Sequence, residues 1–335
     1  MNKRESSKIM LKKSNFGFSV LIVGAGNMAA FYDNPKSDLV LTHAHAFSSS
    51  SYFNKIAFVD KDLSKAKMAA ERWQSHYYDT IENAFSVEDF DVVVISTSDE
   101  SHYENYLEII NTKCKVIVME KPLSRKKEEA KKIHSLSKEA KKFTCVNYSR
   151  RFIPEYKILK QKIRSKDFGK FLGGTGYYGK GLFHNGSHLI DLLNLFFDEV
   201  SVDEAKAFSP VYDYTLNDPS INALLLVEKC PFFLQVIDSR LYEIFELQMV
   251  FERGMIEIKD LGARIIEYEV IESSEYEGYR NLKCIRSTNV DLNKALIYLV
   301  EFLTEYLETG KKENCISDVD TAYDTFLLCS AIKGE

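Results

Sequence analysis

One lysine stands where a strand of the predicted fold ends. Lys121 lies in the segment Glu120-Lys121-Pro122, directly after the predicted strand 115–119. Open α/β sheets bind ligands at the carboxyl edge of their strands, so a lysine there is expected to point into a site. Burial and neighbouring charges can lower the pKa of its ammonium group and make it a proton donor or a polarising cation. The alternative is an ordinary surface lysine before a helix.

Two histidines lie close together in a glycine-containing segment. His184 and His188, two of only seven histidines, fall within residues 179–191. We expect Ser187 to be an N-cap, which would place His188 and Asp191 in the first turn of an amphipathic helix. There Asp191 could orient the imidazole of His188 or favour the helix N-terminus. A metal site is the alternative, but no third His or carboxylate ligand stands at a useful spacing.

A glycine turn follows the first predicted strand, 19–23. Residues 24–29 have the form G-x-G-x-x-A and open a predicted helix. Gly24 permits a tight turn, Gly26 leaves space for a pyrophosphate near the backbone, and Ala29 lets the helix pack against the strand. A purely structural turn is the alternative. The predicted cofactor contacts of the turn are Gly24, Gly26, Asn27, Met28 and Ala29.

The second predicted strand, 55–59, is followed by an acidic residue, Asp60. A carboxylate at this place accepts hydrogen bonds from the ribose hydroxyls of a dinucleotide and repels a 2′-phosphate, which favours NAD over NADP. Asp60 lies later than the usual interval of about twenty residues after the glycines. We interpret the excess, residues 32–53, as an enlarged connection. The alternative is that His43 or His45 reaches over the nicotinamide or the substrate.

The composition is that of a folded protein of two domains. The chain has 335 residues, of which 45% are hydrophobic and 28% charged, and its net charge is −5. These values exclude collagen-like and largely disordered proteins, and no basic stripe indicates nucleic acid. Six cysteines without zinc-ligand spacing are interpreted as free thiols of a reducing compartment. They are Cys114, Cys145, Cys230, Cys284, Cys315 and Cys329.

The N-terminus superficially resembles a signal peptide. A basic stretch precedes the apolar run 16–23. The run is only about one strand long, and cleavage nearby would remove the glycine turn. No run approaches the roughly 18 apolar residues that span a bilayer. We therefore expect a cytoplasmic protein with a flexible basic extension over residues 1–15.

The pattern of apolar residues along the chain changes near residue 149. Before it, short apolar runs alternate with helical patterns, which predicts an α/β doubly wound parallel sheet. After it, grouped alternating runs predict an α+β domain on an open, mostly antiparallel sheet. The predicted strands are 19–23, 55–59, 91–95, 115–119, 143–147, 222–227, 232–238, 245–251, 255–259 and 264–271, and the helices are 63–74, 101–111, 125–140, 154–165, 187–197, 293–308 and 319–332.

These two patterns of apolar residues predict two domains. Residues 1–148 are predicted to bind the dinucleotide, and residues 149–335 to bind substrate and form the oligomer. The second sheet holds more apolar residues than one layer of helices can cover. The expected outward residues are Phe232, Leu234, Phe245, Leu247 and Val250.

Taken together, these segments resemble the Gfo/Idh/MocA oxidoreductase family, of the glucose-fructose oxidoreductase and inositol dehydrogenase type. The resemblance covers nearly the whole chain from about residue 19. It rests on the glycine turn 24–29, Asp60, residues 97–102 where relatives carry T-P-x-x-x-H, Glu120-Lys121-Pro122, residues 150–154, and Gly186-x-His188-x-x-Asp191.

The resemblance implies a Rossmann domain, a homodimer or homotetramer formed through the second sheet, and a fixed set of site residues. Lys121 would be the central catalytic residue and His188 the proton acceptor. Further cofactor contacts would be Ser96, Thr97, His102, Glu120 and Lys121. Substrate contacts are expected at Asn147, Arg151, Tyr178, Lys180, Asn185, His188 and Asp191.

The chain departs from the family pattern at two positions. Ser98 replaces a common proline, and His184 stands where relatives commonly have Asp, four residues before the catalytic histidine. An Asp-Lys-His arrangement thus becomes His-Lys-His. Two imidazoles beside an ammonium disfavour one another's charge. Either His184 or His188 is therefore a candidate base.

The expected function is hydride transfer between NAD and a secondary alcohol of a sugar, sugar derivative or nucleotide-linked sugar. A neutral histidine would accept the hydroxyl proton while Lys121 stabilises the developing alkoxide. One alternative is an NAD-requiring glycosidase that uses transient oxidation. Another is a non-catalytic cofactor sensor, against which the presence of Lys121 and His188 argues. No metal, nucleic acid or membrane partner is expected.

Overall fold

Apolar runs of the N-terminal half form a six-stranded parallel sheet in the computed structural model, which describes residues 17–140, 142–203, 209–311 and 317–334. Its strands are β1 (Phe18–Val23), β2 (Phe53–Val59), β3 (His76–Tyr78), β4 (Val92–Ile95), β5 (Val116–Met119) and β6 (Phe143–Val146). Their spatial order is β3-β2-β1-β4-β5-β6. All residues of β4, β5 and β6 are buried, as expected for a parallel sheet covered on both faces.

The helices of this half are α1 (His43–Ser48), α2 (Leu63–Trp73), α3 (Ile81–Val87), α4 (His102–Ile109) and α5 (Lys127–Glu139). Strand β1 pairs with β2 on one side and with β4 on the other. The chain therefore reverses its direction of winding beside β1. In open α/β sheets a crevice for ligands forms at this point, outside the carboxyl ends of the strands.

The second half builds an eight-stranded sheet in which one pair, β12 with β7, is parallel and the other pairs are antiparallel. The bounds are α6 (Pro154–Arg164), β7 (Phe171–Tyr178), α7 (Ser187–Phe196), β8 (Val200–Val202), β9 (Val211–Thr215), β10 (Asp218–Ser220), β11 (Ala223–Val227), β12 (Cys230–Val236), β13 (Phe245–Phe251), β14 (Gly254–Lys259), β15 (Arg264–Glu272), β16 (Arg280–Asn289), α8 (Ala295–Thr309) and α9 (Val319–Lys333). The order is β16-β15-β14-β13-β7-β12-β11-β8, and β9 and β10 form a separate hairpin.

Helix α7 packs on one face of this sheet. A Cβ on Gly176 of β7 would lie 2.7 Å from Leu189 of α7, so the glycine permits the close approach. The opposite face exposes Phe233 and Val250, which are 56% and 37% accessible. Val250 was expected to face outward, but the other four expected residues are buried: Phe232, Leu234, Phe245 and Leu247. They point toward α7 because the register of β12 and β13 places alternate residues on the two faces.

The last two helices return to the first sheet. Leu299 and Leu303 of α8 share a buried cluster with Val20 and Val92. Helix α9 follows Asp318, which forms a bridge with Cys145 of β6. Residues beyond the predicted boundary at 148 thus contribute to the core of the first half, and the division into 1–148 and 149–335 stays a prediction.

The predicted strands and long helices correspond to observed elements, while several other elements were missed. Strand β7 contains Gly173, Gly174 and Gly176, and glycine is depleted in strands. Strand β16 is exposed along nearly its whole length, so it has no apolar alternation. Both form because neighbouring strands supply hydrogen-bond partners, which a local pattern cannot reveal.

The predicted basic extension and Cys315 lie outside the described residues. No disulfide joins the five cysteines in the described ranges. No helix within those ranges is long and apolar enough to cross a membrane.

Candidate functional site

The glycine turn leaves β1 at the predicted place. Gly24 has φ +94°, and a Cβ there would lie 2.6 Å from the carbonyl oxygen of Ser96. A Cβ on Gly26 would meet no atom within 4 Å, so the backbone at this point faces open space. As predicted, the turn opens a helix, which is a single wide turn, Asn27–Phe31. Residues 32–42 continue as irregular chain before α1.

Asp60 closes the other side of this turn. Its carboxylate accepts hydrogen bonds from the backbone N–H of Ala25 at 2.7 Å and of Asp62 at 2.9 Å. The carboxylate thus links the carboxyl ends of β1 and β2 and fixes the shape of the glycine turn. Asp60 was expected near a ribose; holding the turn is a second contact that the sequence did not reveal.

A cleft of about 710 Å³ runs along these strand ends. Its lining includes the predicted cofactor residues Gly24, Gly26, Asp60, Ser96 and Thr97, together with Lys61 and Lys65. The hydroxyl of Ser96 is buried and has no hydrogen-bond partner among the described residues. An open glycine backbone, a carboxylate and an unpartnered hydroxyl are the kinds of group with which a protein binds a dinucleotide.

Other predicted cofactor residues do not line this cleft. Ala29 is fully buried and packs in the core, as its small side chain suggested. His102 is fully buried too, and its Nδ1–H donates to the carbonyl of Pro122 at 3.0 Å. Asn27 and Met28 belong to the short turn but are not among the lining residues. His102 therefore holds the Glu120-Lys121-Pro122 segment by a hydrogen bond from the interior of the domain.

A second cleft, of about 340 Å³, lies beside Lys121. The catalytic candidates Lys121, His184 and His188 all line it, and so do the predicted substrate residues Lys180 and Asn185. The Nζ of Lys121 donates to the backbone carbonyl of His184 at 2.7 Å. The structure thus brings together a strand end of the first sheet and the turn before α7.

The turn Leu182–Gly186 is held by a buried carboxylate. Asp218 of β10 accepts from the backbone N–H of Phe183 at 2.8 Å and of His184 at 2.9 Å. The ring of His184 stacks on Tyr214, with centroids 4.4 Å apart. Ser187 is the first residue of α7 rather than its N-cap, and its hydroxyl donates to the carbonyl of Phe183. The turn runs directly into the helix, so no cap is required there.

Burial sets the charge state of the cleft. It lowers the pKa of His188 well below 6.5, and the nearby cation Lys121 lowers it further. The pKa of His184 falls to about 4, mainly through burial and then through Lys121. Burial also lowers the pKa of Lys121, although Glu120 opposes this. At neutral pH both imidazoles are therefore uncharged, which is the state in which a histidine can accept a proton.

Glu120 points away from both clefts into a buried network. Its Oε1 accepts from Nε2–H of His43 at 2.7 Å and from the amide of Asn147 at 2.8 Å. His45 instead pairs with Asp33, with Nδ1 2.9 Å from the carboxylate. Both histidines are buried and neither lines a cleft. The structure therefore gives no support to the alternative in which one of them reaches over the nicotinamide, and it favours the interpretation of residues 32–53 as an enlarged connection.

Four predicted substrate residues make interior contacts instead. Arg151 donates to both carboxylate oxygens of Asp191 at 2.9 and 2.8 Å, and both residues are almost fully buried. Asp191 thus pairs with arginine rather than orienting His188. The hydroxyl of Tyr178 bonds the backbone of Ile221 as donor and acceptor. Asn147, bound to Glu120, is likewise buried. None of these four predicted residues lines the second cleft.

Sequence reasoning missed Arg150, which does line the second cleft. Its guanidinium lies 4.0 Å from the centroid of the Phe245 ring, and Nη2 donates to the carbonyl of Leu261 at 3.0 Å. Its buried Nε has no partner among the described residues. The paired arginines 150–151 were a signal, but only the fold shows that one points into the core and the other into the cleft.

Among the residues that the structure describes, no three His, Cys, Asp or Glu side chains come together as a potential metal site. The ionisable side chains that line the second cleft are Lys121, Lys180, Arg150, Glu243 and the two neutral histidines His184 and His188.

Comparison with known proteins assigns the first half. Residues 18–148 match a family model described as oxidoreductase family, NAD-binding Rossmann fold. The protein YceM of Salmonella typhimurium, which is named as an oxidoreductase, is 32% identical over 99 residues. That match covers 30% of this chain and only 31% of the relative.

Solved structures match nearly the whole fold. Levoglucosan dehydrogenase, solved with NADH and levoglucosan, is 14% identical, with 95% of this chain and 97% of that chain covered and a TM-score of 0.73. KijD10, a 3-ketoreductase from Actinomadura kijaniata solved with NADP and TDP-benzene, is 13% identical, with coverages of 95% and 98% and a TM-score of 0.72. At such identities the likeness shows the fold alone. The family match shows that residues 18–148 are an NAD-binding Rossmann domain of the Gfo/Idh/MocA oxidoreductase family.

Proposed function

We propose that the protein is a dehydrogenase that transfers a hydride between NAD and a secondary alcohol of a sugar, sugar derivative or nucleotide-linked sugar. The observation that carries this proposal is that Lys121, His184 and His188 line one cleft. Strand β5, which precedes Lys121, pairs with β4, which precedes Ser96 and Thr97 of the other cleft. The groups for chemistry and the groups for the cofactor therefore lie on the same carboxyl edge.

Different residues of the chain have different roles in the proposed oxidation of an alcohol. The nicotinamide, when bound, accepts the hydride. His188, kept neutral by burial and by Lys121, accepts the proton of the substrate hydroxyl. Lys121 stabilises the negative charge that develops on the same oxygen. Asn185 and Lys180, which line the cleft, are proposed to hold other polar groups of the substrate.

The proposed substrate class has support from the solved neighbours. One of them is a dehydrogenase complexed with levoglucosan, and another is a 3-ketoreductase complexed with a TDP-linked ligand. The cleft here has the required polar character, since lysine, arginine, histidine and asparagine side chains converge in it. Hydroxyl-rich ligands need such convergent donors and acceptors for orientation.

Replacement of Lys121 tests the chemical role. Lys121→Ala is expected to lower kcat by about 10² to 10⁴, because an electrostatic and proton-transfer group is lost. NAD binding, followed by fluorescence titration, should change little. Lys131→Ala on the exposed side of α5 is the matched control. A panel of sugars and nucleotide sugars, followed by NADH absorbance, provides the substrate for this measurement.

The same panel separates the alternatives. Activity of Lys121→Ala within a few-fold of the parent would contradict the proposed role. Sugar release from a glycoside without net NADH would indicate the glycosidase. Cofactor binding without turnover on any substrate would indicate the non-catalytic sensor.

We propose NAD rather than NADP on the basis of Asp60. Its carboxylate lines the first cleft and carries the charge that repels a 2′-phosphate. Among the charged residues that line this cleft, Asp60 is the one that directly follows β2, where a carboxylate meets the ribose of a dinucleotide. Asp60→Ala should weaken NAD binding while NADP binding weakens less or improves, measured as Kd for both cofactors. Asp62→Ala, next to the cleft but not lining it, is the control. Equal loss for both cofactors would contradict the proposal.

A further inference from the structure

An apolar groove lies apart from both clefts, between α8 and the segment that follows α1. Its volume is about 590 Å³. The floor is formed by Ala46, Tyr52, Ile297, Val300 and Thr304. No residue assigned above to cofactor or substrate lines it. An exposed apolar groove of this size is expected to bind another segment of protein or a ligand.

The rim of the groove along α8 is acidic. Glu301, Glu305 and Glu308 line it and are exposed. Their spacing of four and three residues places them on one side of the helix. Lys157 of α6 is close enough to interact electrostatically with Glu301 and Glu305. The three carboxylates give this side of the groove its acidic character.

The N-terminal segment of the chain joins the fold at this groove. The backbone N–H of Phe18 donates to the carbonyl of Tyr52 at 2.7 Å, and Tyr52 lines the groove. Phe18 therefore lies at the edge of the groove, and residues 1–16 precede the described part of the chain there. Five extended residues reach about 16 Å, which is comparable to the roughly 18 Å that α8 covers between residues 297 and 309.

The chemistry of this segment matches the groove. Residues 8–13 read Lys-Ile-Met-Leu-Lys-Lys, an apolar triplet between basic residues. Residues 1–16 hold five cations and one acidic residue, Glu5. An apolar triplet suits the floor, and flanking lysines suit the carboxylates of the rim. Because the segment is tethered at Phe18, its effective concentration at the groove is far higher than that of a separate partner.

We propose that residues 8–13 bind in this groove of the same molecule. Ile9, Met10 and Leu11 cover the apolar floor, and the lysines of the segment face Glu301 and Glu308. The bound segment then packs against Ala46 at the end of α1 and against α8. It therefore braces the helix that carries His43, the partner of Glu120.

Hydrogen exchange of the full chain tests this inference. The backbone amides of residues 8–13 should exchange at least about tenfold more slowly in the parent than in Leu11→Asp, because a carboxylate in place of Leu11 removes the apolar anchor. Ser7→Asp adds the same charge outside the triplet and is the matched control. Since residue 11 lies outside the described residues, Leu11→Asp changes none of the contacts described above.

A charge exchange tests the rim. Glu301→Lys with Glu308→Lys should remove the protection, and so should Lys12→Glu with Lys13→Glu. The combination of all four changes should restore it, because the attraction is re-formed with reversed signs. Glu139→Lys on α5 is the control for an added cation elsewhere. Thermal unfolding confirms that each variant is folded.

Two results would overturn the inference. One is exchange of residues 8–13 in the parent at the rate of an unstructured peptide. The other is protection that increases with protein concentration, which would show that the segment binds a second copy. Protection that is independent of concentration and recovered in the four-fold variant supports it.

Discussion

At the residue scale, the second cleft is defined by what its ionisable groups do to one another. Burial lowers the pKa of Lys121, His184 and His188, and the lysine lowers the pKa of both histidines further. Histidine at position 184 thus adds no negative charge where relatives are expected to have Asp. The proposed base His188 stays neutral well below pH 6.5, so proton acceptance should persist into the acidic range.

His184→Asp is the sharpest test of this arrangement. A carboxylate near His188 favours its protonated form and raises its pKa. Because the base must be neutral to accept a proton, the acidic limb of the kcat/KM profile should move to higher pH. His184→Asn, which adds no charge, should leave the limb in place and lower activity only mildly. An active His184→Asp enzyme with an unchanged profile would place His184 outside proton transfer.

At the scale of elements, the ends of parallel strands create the site. Strands β1 and β4 are neighbours at the reversal of winding, and Gly24 passes close to the carbonyl of Ser96, directly after β4. Strand β5 delivers Glu120 inward, to His43, and Lys121 outward, to the second cleft. This alternation follows from the period of two in an extended chain. The segment 120–121 therefore places the Glu120 side chain in the core and the Lys121 side chain in the second cleft.

The two glycines of the turn should respond differently to a methyl group. Gly24→Ala places a Cβ 2.6 Å from the carbonyl oxygen of Ser96 at φ +94°, so we expect a loss of stability of about 1–3 kcal/mol. Gly26 has φ −91°, and its Cβ would meet open space. Gly26→Ala should keep its Tm but bind NAD more weakly, because the methyl group occupies the cleft. Thermal unfolding without cofactor, combined with NAD titration, checks both; equal Tm values would contradict the argument.

At the scale of the whole molecule, one face of the eight-stranded sheet stays uncovered by described helices. Helix α7 packs on the other face. The uncovered face exposes Phe233 of β12 and Val250 of β13, beside polar residues such as Gln248. Exposed apolar residues on a flat sheet are typical of an interface. We therefore propose that this face forms a homo-oligomer, dimeric or tetrameric.

Phe233→Asp should dissociate this oligomer. A carboxylate buried in an apolar interface without a partner is costly, so the molar mass in light scattering at micromolar concentration should fall to that of the monomer. Leu216→Asp is the control, since Leu216 is 82% exposed and lies in the β9–β10 turn. A parent protein that is already monomeric would contradict the proposal.

The local sequence pattern was enough to predict features that depend only on residues close together in the sequence. The glycine turn, Asp60 at a strand end, Lys121 after β5 and the histidine pair were all visible, because strand alternation and turn chemistry are short-range properties. The resemblance to the family also rests on these features. The sequence therefore predicted both sheets, while the roles of the site residues stay a proposal.

The tertiary structure decided which way each of these side chains points. Arg150 and Arg151 are adjacent, yet one lines the cleft and the other pairs with Asp191 inside the core. His43 and Glu120 are 77 residues apart and meet only when α1 packs near β5. Strand β7 forms despite its glycines because β12 and β13 pair with it on both sides. Such outcomes depend on contacts between distant segments, whose free energy no local pattern contains.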